Sequence, residues 1–362
     1  MIYAICFVIF LFAAVFFDVF TTKQIKKYEN GFFIAGCFLL IVMSGIRTNT
    51  GYDFQSYKVI FENVKSHNIL HIFSGGWSLV VEPGYLIINY LLKGLSFQQF
   101  VFIIAVLSIS LKTAFINKYV EKKMICLFIY YSMYFLLYDM GIMRQGLAIG
   151  ILFWAYDAIL KDNRFKFFAL IVIATLVHSS SVLFIIVYFV KNEKYSRKVY
   201  WGILLGALAF STINIFGWIA RNIPIAFIQN KMFYYLNSVS DESIINSIIK
   251  RLFILLIVTY NLDFENIQRK KHIIKSFNIF FFSIVLSIIF SAIPILGGRG
   301  TGALQIMQLF ILPVCFNGKY IKKGDVFHRL IYILVIAGFA YYSMYSLINS
   351  HDYLPYTALI LL

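Results

Sequence analysis

Two side chains capable of chemistry stand at the ends of adjoining apolar segments. Arg144 opens the first and His178 closes the second, with the polar turn KDNRFK (residues 161–166) between them. If that turn lies at one membrane face, Arg144 and His178 both return to the other. A permanent cation suited to phosphate or carboxylate oxygens then shares a shallow cavity with a titratable imidazole. Gln145 follows the arginine and three serines follow the histidine. Duller readings stand beside these. A span-end arginine can simply snorkel, and a lone histidine is usually a satisfied structural residue.

Four other stretches carry similar groups. SGIRTNTGYDFQSY (residues 44–57) ends an apolar run at Arg47, turns at Gly51, and places Asp53 and Tyr57 one helical turn apart, where they share a face. It reads either as a ligand-binding turn, with Asp53 orienting Arg47, or as a membrane exit with an interfacial tyrosine. Glu82-Pro83-Gly84-Tyr85 is helix-start chemistry; Glu82 is either a cap or a carboxylate beside an arginine. Gly297-Gly298-Arg299-Gly300 offers exposed backbone N–H groups and a cation, a phosphate cradle or a flexible turn. Asp352-Tyr353-Leu354-Pro355-Tyr356 presents Tyr353 as a stacking platform or an anchor.

These groups need a scaffold, and composition says which. Of 362 residues, 61% are hydrophobic and 13% charged, and mean hydropathy is +0.81. Soluble domains carry roughly 45–50% apolar and about 25% charged residues. The pattern predicts an all-α polytopic membrane protein, and no alternating segments of a β-barrel occur. Spans are predicted near 2–20, 31–46, 100–117, 124–141, 144–160, 165–178, 179–193, 199–220, 248–262, 275–295, 301–316 and 329–348, twelve in all. Residues 83–93 are apolar but too short to cross, and read as a re-entrant or interfacial helix. The first span carries Asp18 and lacks a basic leader and cleavage site, so it reads as a retained helix. No segment is large enough for a separate domain; residues 1–362 form one integral membrane domain with outer segments near 47–99 and 221–247.

The net charge of +16 needs no nucleic acid. On this map one side, with Lys112 and Lys275 counted toward it, holds 22 of the 32 Lys and Arg residues and the other 10, which makes the first side cytoplasmic and puts both termini outside. Arginine makes up five of the outer ten (Arg47, Arg144, Arg221, Arg251 and Arg299). Isolated arginines aimed at one outward cavity point to an anionic ligand, phosphorylated or lipid-linked. Cys6, Cys37, Cys126 and Cys315 sit inside apolar runs without a CxxC pair and read as small core residues.

No HExxH, GxSxG, Walker or dinucleotide-binding motif occurs, and no DxD. Neither a metal nor a cofactor is expected. The segments SGIRTNTGYDFQSY, EPGYLIINYLL, IMRQGLAIGILFWAY, LVHSSSVLFIIVYF and GRGTGALQIMQLFILP, in that order, resemble the EpsG-like branch of the Wzy-type bacterial polysaccharide polymerases. The resemblance spans residues 44 to about 313; Tyr52 and Ala303-Leu304 depart from the pattern.

That resemblance implies a GT-C-like glycosyltransferase of the bacterial inner membrane, with its active site facing the periplasm or exterior. It would join oligosaccharide repeat units carried on undecaprenyl diphosphate into O-antigen, capsule or exopolysaccharide. Carried over by position, Arg47, Asp53, Glu82, Arg144, His178 and Arg299 form the site. His178, Arg144, Arg299 and Asp53 are the expected catalytic set, and Arg47, Tyr57, Glu82, Gln145 and Tyr353 the expected substrate contacts. The arginines would take the charge of the leaving diphosphate, and His178, or else Asp53 or Glu82, the proton of the attacking hydroxyl. A chain-length regulator is a further expected partner. A lipid-linked oligosaccharide flippase, an O-antigen ligase and a membrane acyltransferase are the competing classes.

Overall fold

The computed structural model describes residues 1–20, 22–68, 81–213, 215–222, 244–267, 270–293, 296–322, 325–350 and 353–359. Asp352 and most of the expected outer segment 221–247 lie outside them. The principal helices are α1 (Ile2–Ala14), α2 (Glu29–Gly45), α3 (Phe54–Ser66), α4 (Pro83–Leu91), α5 (Phe97–Tyr119), α6 (Lys123–Tyr130), α7 (Met143–Leu160) and α8 (Arg164–Val177). They continue with α9 (Arg197–Ser211), α10 (Ile215–Asn222), α11 (Ile244–Asn261), α12 (Lys271–Ile289) and α13 (Val326–Ser350). Seven described helices are long and apolar enough to cross a membrane: Ile2–Val19, Phe97–Tyr119, Lys123–Gly141, Ile244–Asn261, Lys271–Ile289, Leu296–Phe316 and Val326–Asn349. The protein is an all-α polytopic membrane protein.

Two predicted spans take a different form. Residues 179–193 contain a 3-10 helix, Ser179–Tyr188, because hydroxyls and β-branched residues weaken the α-helical alternative. The expected span 199–220 is broken between α9 and α10 around Thr212 and Ile213.

The chain divides into two compact units, 1–185 with 312–318 and 323–362, and 186–311 with 319–322. In the first, α5 packs on α2 and α7, and α7 on α8. Ser96 caps α5 by accepting from the Gln99 amide, and the Gln99 side chain accepts from the Ser96 amide in return. Glycine allows the tightest approach: a methyl group on Gly146 would strike the Tyr138 carbonyl. Helix α6 runs on as a π-helix, Tyr131–Gly141, whose wide turn ends with the Ile142 amide donating to Leu137 O at 2.8 Å. This segment carries the chain to Arg144.

The π-helix also holds a buried ion pair. Lys112 Nζ lies 2.5 Å from Asp139 Oδ1, both side chains fully buried. Ser108 and Tyr130 each donate to the same carboxylate at 2.6 Å. Lys112, counted toward the cytoplasmic side, is therefore spent on an ion pair inside the fold. Lys275, the other lysine assigned to that side that proves buried, donates to the Val190 carbonyl at 2.6 Å within the second unit.

The C-terminal tail folds back on the first unit. Strands β1 (Arg47–Thr48) and β2 (Thr357–Ala358) pair antiparallel, and the Tyr356 hydroxyl donates to Met43 O at 2.9 Å. In the second unit α9 and α11 pack on α12. There Arg251 is buried: it donates to Ser283 O at 2.9 Å, to Thr301 Oγ1 at 2.7 Å, to Ser287 Oγ and to Gly298 O.

Candidate active site

Glu82 is the point on which the first unit's candidate side chains converge. It precedes α4, with Pro83 at the first helical position setting the backbone. Its Oε2 accepts from Arg144 Nη1 at 2.7 Å, and Oε1 accepts from the amide and hydroxyl of Ser179, each at 3.0 Å. His178 Nδ1 stands 3.5 Å from that oxygen and is buried, while 24% of the side chain stays accessible. The start of α7 and the end of α8 are thus fastened to one carboxylate. Gln145 Nε2 adds a bond to Ser180 Oγ at 3.4 Å.

Close packing brings α4 to this place. Helix α4 packs against α8, and a methyl group on Gly84 would meet the Leu176 backbone at 2.7 Å. Below the guanidinium lie two tyrosine rings, Tyr57 at 5.7 Å and Tyr85 at 5.6 Å, edge to face with each other. Such faces favour a cation and hold it in one place. The Tyr57 hydroxyl donates to Asp53 Oδ2 at 3.3 Å, so the expected shared face of that pair is present. Burial works to raise the Glu82 pKa, but Arg144, the Ser179 amide and His178 outweigh it, and the carboxyl is held below its ordinary value. Glu82 is an anion throughout the neutral range.

The remaining expected residues go elsewhere. Arg47 is buried, and its guanidinium donates to the carbonyls of Ser44 and Thr50 and to Ser44 Oγ. It closes the end of α2 rather than presenting a cation to a cavity. Tyr353 is fully buried and donates to Leu136 O at 2.9 Å. The exposed aromatic platform is therefore an internal anchor, because the tail is drawn inward by β2. Arg299 belongs to the second unit, in the π-turn Leu296–Gly300, half-buried. That turn is not an open cradle at Gly297, whose amide already donates to Ile293 O at 3.0 Å. Asp139, the acidic residue nearest Arg144 in sequence, pairs with Lys112 instead.

Sequence reasoning missed Tyr85 and the bonding role of Ser179. Tyr85 lies three residues after Glu82, the spacing that shares a helical face, and that signal was available. Gly51 has φ of +109° and would place a methyl group on the Met140 carbonyl. Gly51→Ala is expected to destabilise the protein by about 1–3 kcal/mol. Gly94→Ala, with nothing within 4 Å of the added atom, is expected to be near neutral. Thermal unfolding of the two in detergent measures the difference.

No curated protein and no solved structure matches this chain. The site nevertheless has a family context. Glu82, Arg144 and His178 all fall within residues 30–358, which match the EpsG family model. Because that match takes in nearly the whole chain, the protein belongs to the EpsG family.

Proposed function

We propose that this protein is a polysaccharide polymerase that joins oligosaccharide repeat units carried on undecaprenyl diphosphate. The observation that carries the reading is Glu82 holding Arg144 and His178 together at the end of the α7–α8 hairpin. Membership of the EpsG family supports the reaction class, and the lysine asymmetry of the loops supports a multi-pass arrangement in the inner membrane, the site facing outward. In this reading the chain works as one integral membrane domain with a GT-C-like plan. Its shorter apolar helices, α2 among them, bring the number of passes to about twelve.

The proposed reaction is a single displacement. An acceptor hydroxyl attacks the anomeric carbon of the donor chain; the new C–O bond forms as the bond to diphosphate breaks, with inversion. Arg144 takes developing charge on the leaving group, positioned over Tyr57 and Tyr85. With its Nδ1 proton turned toward Glu82, His178 offers Nε2 as the base that receives the hydroxyl proton. Glu82 orients and is not itself the base, since Arg144 and Ser179 already occupy it. Asp53 fixes Tyr57 and contacts the sugars nearby.

Purified protein supplied with lipid-diphosphate-linked repeat units tests the reading by its product. Longer glycans on the same carrier are expected. Glycan transferred to a different lipid would identify a ligase, an acylated sugar an acyltransferase, and unchanged glycan moved across a vesicle bilayer a flippase.

A further inference from the structure

A groove of about 580 Å³ runs along the first unit between α2 and α5. Its walls are Ile34, Phe38 and Ile41 of α2 and Ala114 of α5, so its interior suits a hydrocarbon chain. At its mouth Lys123 donates to Asn30 Oδ1 at 2.8 Å and to Asn117 Oδ1 at 2.7 Å. An ammonium has three N–H groups, and two neutral carboxamide oxygens leave its charge uncompensated. Among the described residues no carboxylate pairs with Lys123. Because both oxygens accept from Lys123, each carboxamide keeps its NH₂ donors for something else. A cation and two amides therefore converge where the apolar groove opens.

The position separates this groove from the candidate active site. Gln98, at the other end of α5, donates to the carbonyls of Gly45 and Arg47. Nineteen residues of helix, about 28 Å at 1.5 Å per residue, divide Gln98 from Asn117. Lys118, Lys122 and Lys161 are paired with Asp157 or Asp18, whereas Lys123 lines the groove and is left for an outside anion. Basic pockets between membrane helices take the phosphates of anionic lipids.

We infer that the α2–α5 groove binds an anionic glycerophospholipid, its phosphate on Lys123, Asn30 and Asn117 and one acyl chain against Phe38 and Ala114. Snorkelling alone would explain a lysine at this depth, but not its capture by amides from two helices beside an open apolar channel. The site stands whether or not the polymerase reading does.

The test uses delipidated full-length protein, native mass spectrometry and thermal unfolding, with phosphatidylglycerol and the phosphate-free diacylglycerol of the same chains as probes. Phosphatidylglycerol is expected to bind about tenfold more tightly, the worth of one charge-assisted contact. Lys123→Gln is expected to abolish that preference while leaving chain binding. Ala114→Trp is expected to displace the lipid altogether, and Asn30→Ala to weaken the preference should the tryptophan variant fail to fold. Equal binding of the two lipids by the unaltered protein would overturn the inference. So would full competition by inorganic phosphate, which would mark a free-anion site. A second copy of the chain, released by Ala114→Trp, would mark a protein interface and also overturn it.

Discussion

His178→Ala and Arg144→Ala are each expected to abolish polymer in a strain lacking its own copy, while single repeat units still reach the cell surface. General acid–base residues contribute about 10²–10⁴-fold, and losing a positioned cation at a leaving group costs a comparable factor. Either loss would reduce long chains below detection at normal membrane abundance, which immunoblotting of the same cells checks. Arg144→Lys is expected to fail as well, because an ammonium cannot bond Glu82 and lie flat over two rings as a guanidinium does. Polymer made normally by both alanine variants would remove this site from consideration. Disappearance of the single units themselves would favour a flippase.

Glu82→Gln separates orientation from chemistry. Glu82 is held below its ordinary carboxyl range, so the contribution of its charge is complete above that range and is lost as pH falls through the lowered value. Its anion therefore persists across neutral pH in the native protein. In the Glu82→Gln variant the imidazolium loses a negative neighbour 3.5 Å away and becomes harder to form. The acid limb of the rate profile is expected to move to lower pH, with kcat reduced more than KM raised. An unmoved profile would mean that His178 is not the titrating base.

Much of this arrangement is legible in the chain because membrane-span spacing leaves so few polar residues to consider. The hairpin of α7 and α8 follows from two apolar runs around one polar turn, and it brings Arg144 and His178 to the same carboxylate. Glu82 is readable as a cap and as an arginine partner, and it is the second. Arg47 and Tyr353 mislead for one reason. Sequence shows that a residue stands at a span end, not whether the tail returns to cover it, and the pairing of β1 with β2 joins residues about three hundred positions apart. Lys112 counts toward the cytoplasmic side because a lysine near the end of an apolar run looks like a topology signal, whereas a buried aspartate 27 positions later in sequence is what holds it inside. Such long-range pairings leave no periodic trace.

That buried pair supports the second large effect. Asp139→Asn and Lys112→Met are each expected to destabilise the protein by about 3–5 kcal/mol, the cost of leaving one buried charge without its partner. The carboxylate is fully engaged: Lys112 and Ser108 meet Oδ1 and Tyr130 meets Oδ2. Removing it orphans three donors from α5 and α6 at once, inside a region with no water to replace them. The double variant Lys112→Met with Asp139→Leu is expected to recover part of the loss, because two apolar groups of similar size need no partner while Ser108 and Tyr130 still lose their acceptor. Thermal unfolding in detergent for both singles and the double gives the coupling directly. A double variant as unstable as the two singles added together would mean that the pair does not act as a unit. The consequence reaches the candidate site through five residues of chain. Asp139 anchors the π-helix whose last turn delivers Arg144, and Ser44 donates to its carbonyl at 2.8 Å. The rescued double is therefore expected to regain membrane abundance but not the full polymerisation rate, since the π-turn is held less firmly. Full recovery of both would confine Lys112 and Asp139 to stability alone.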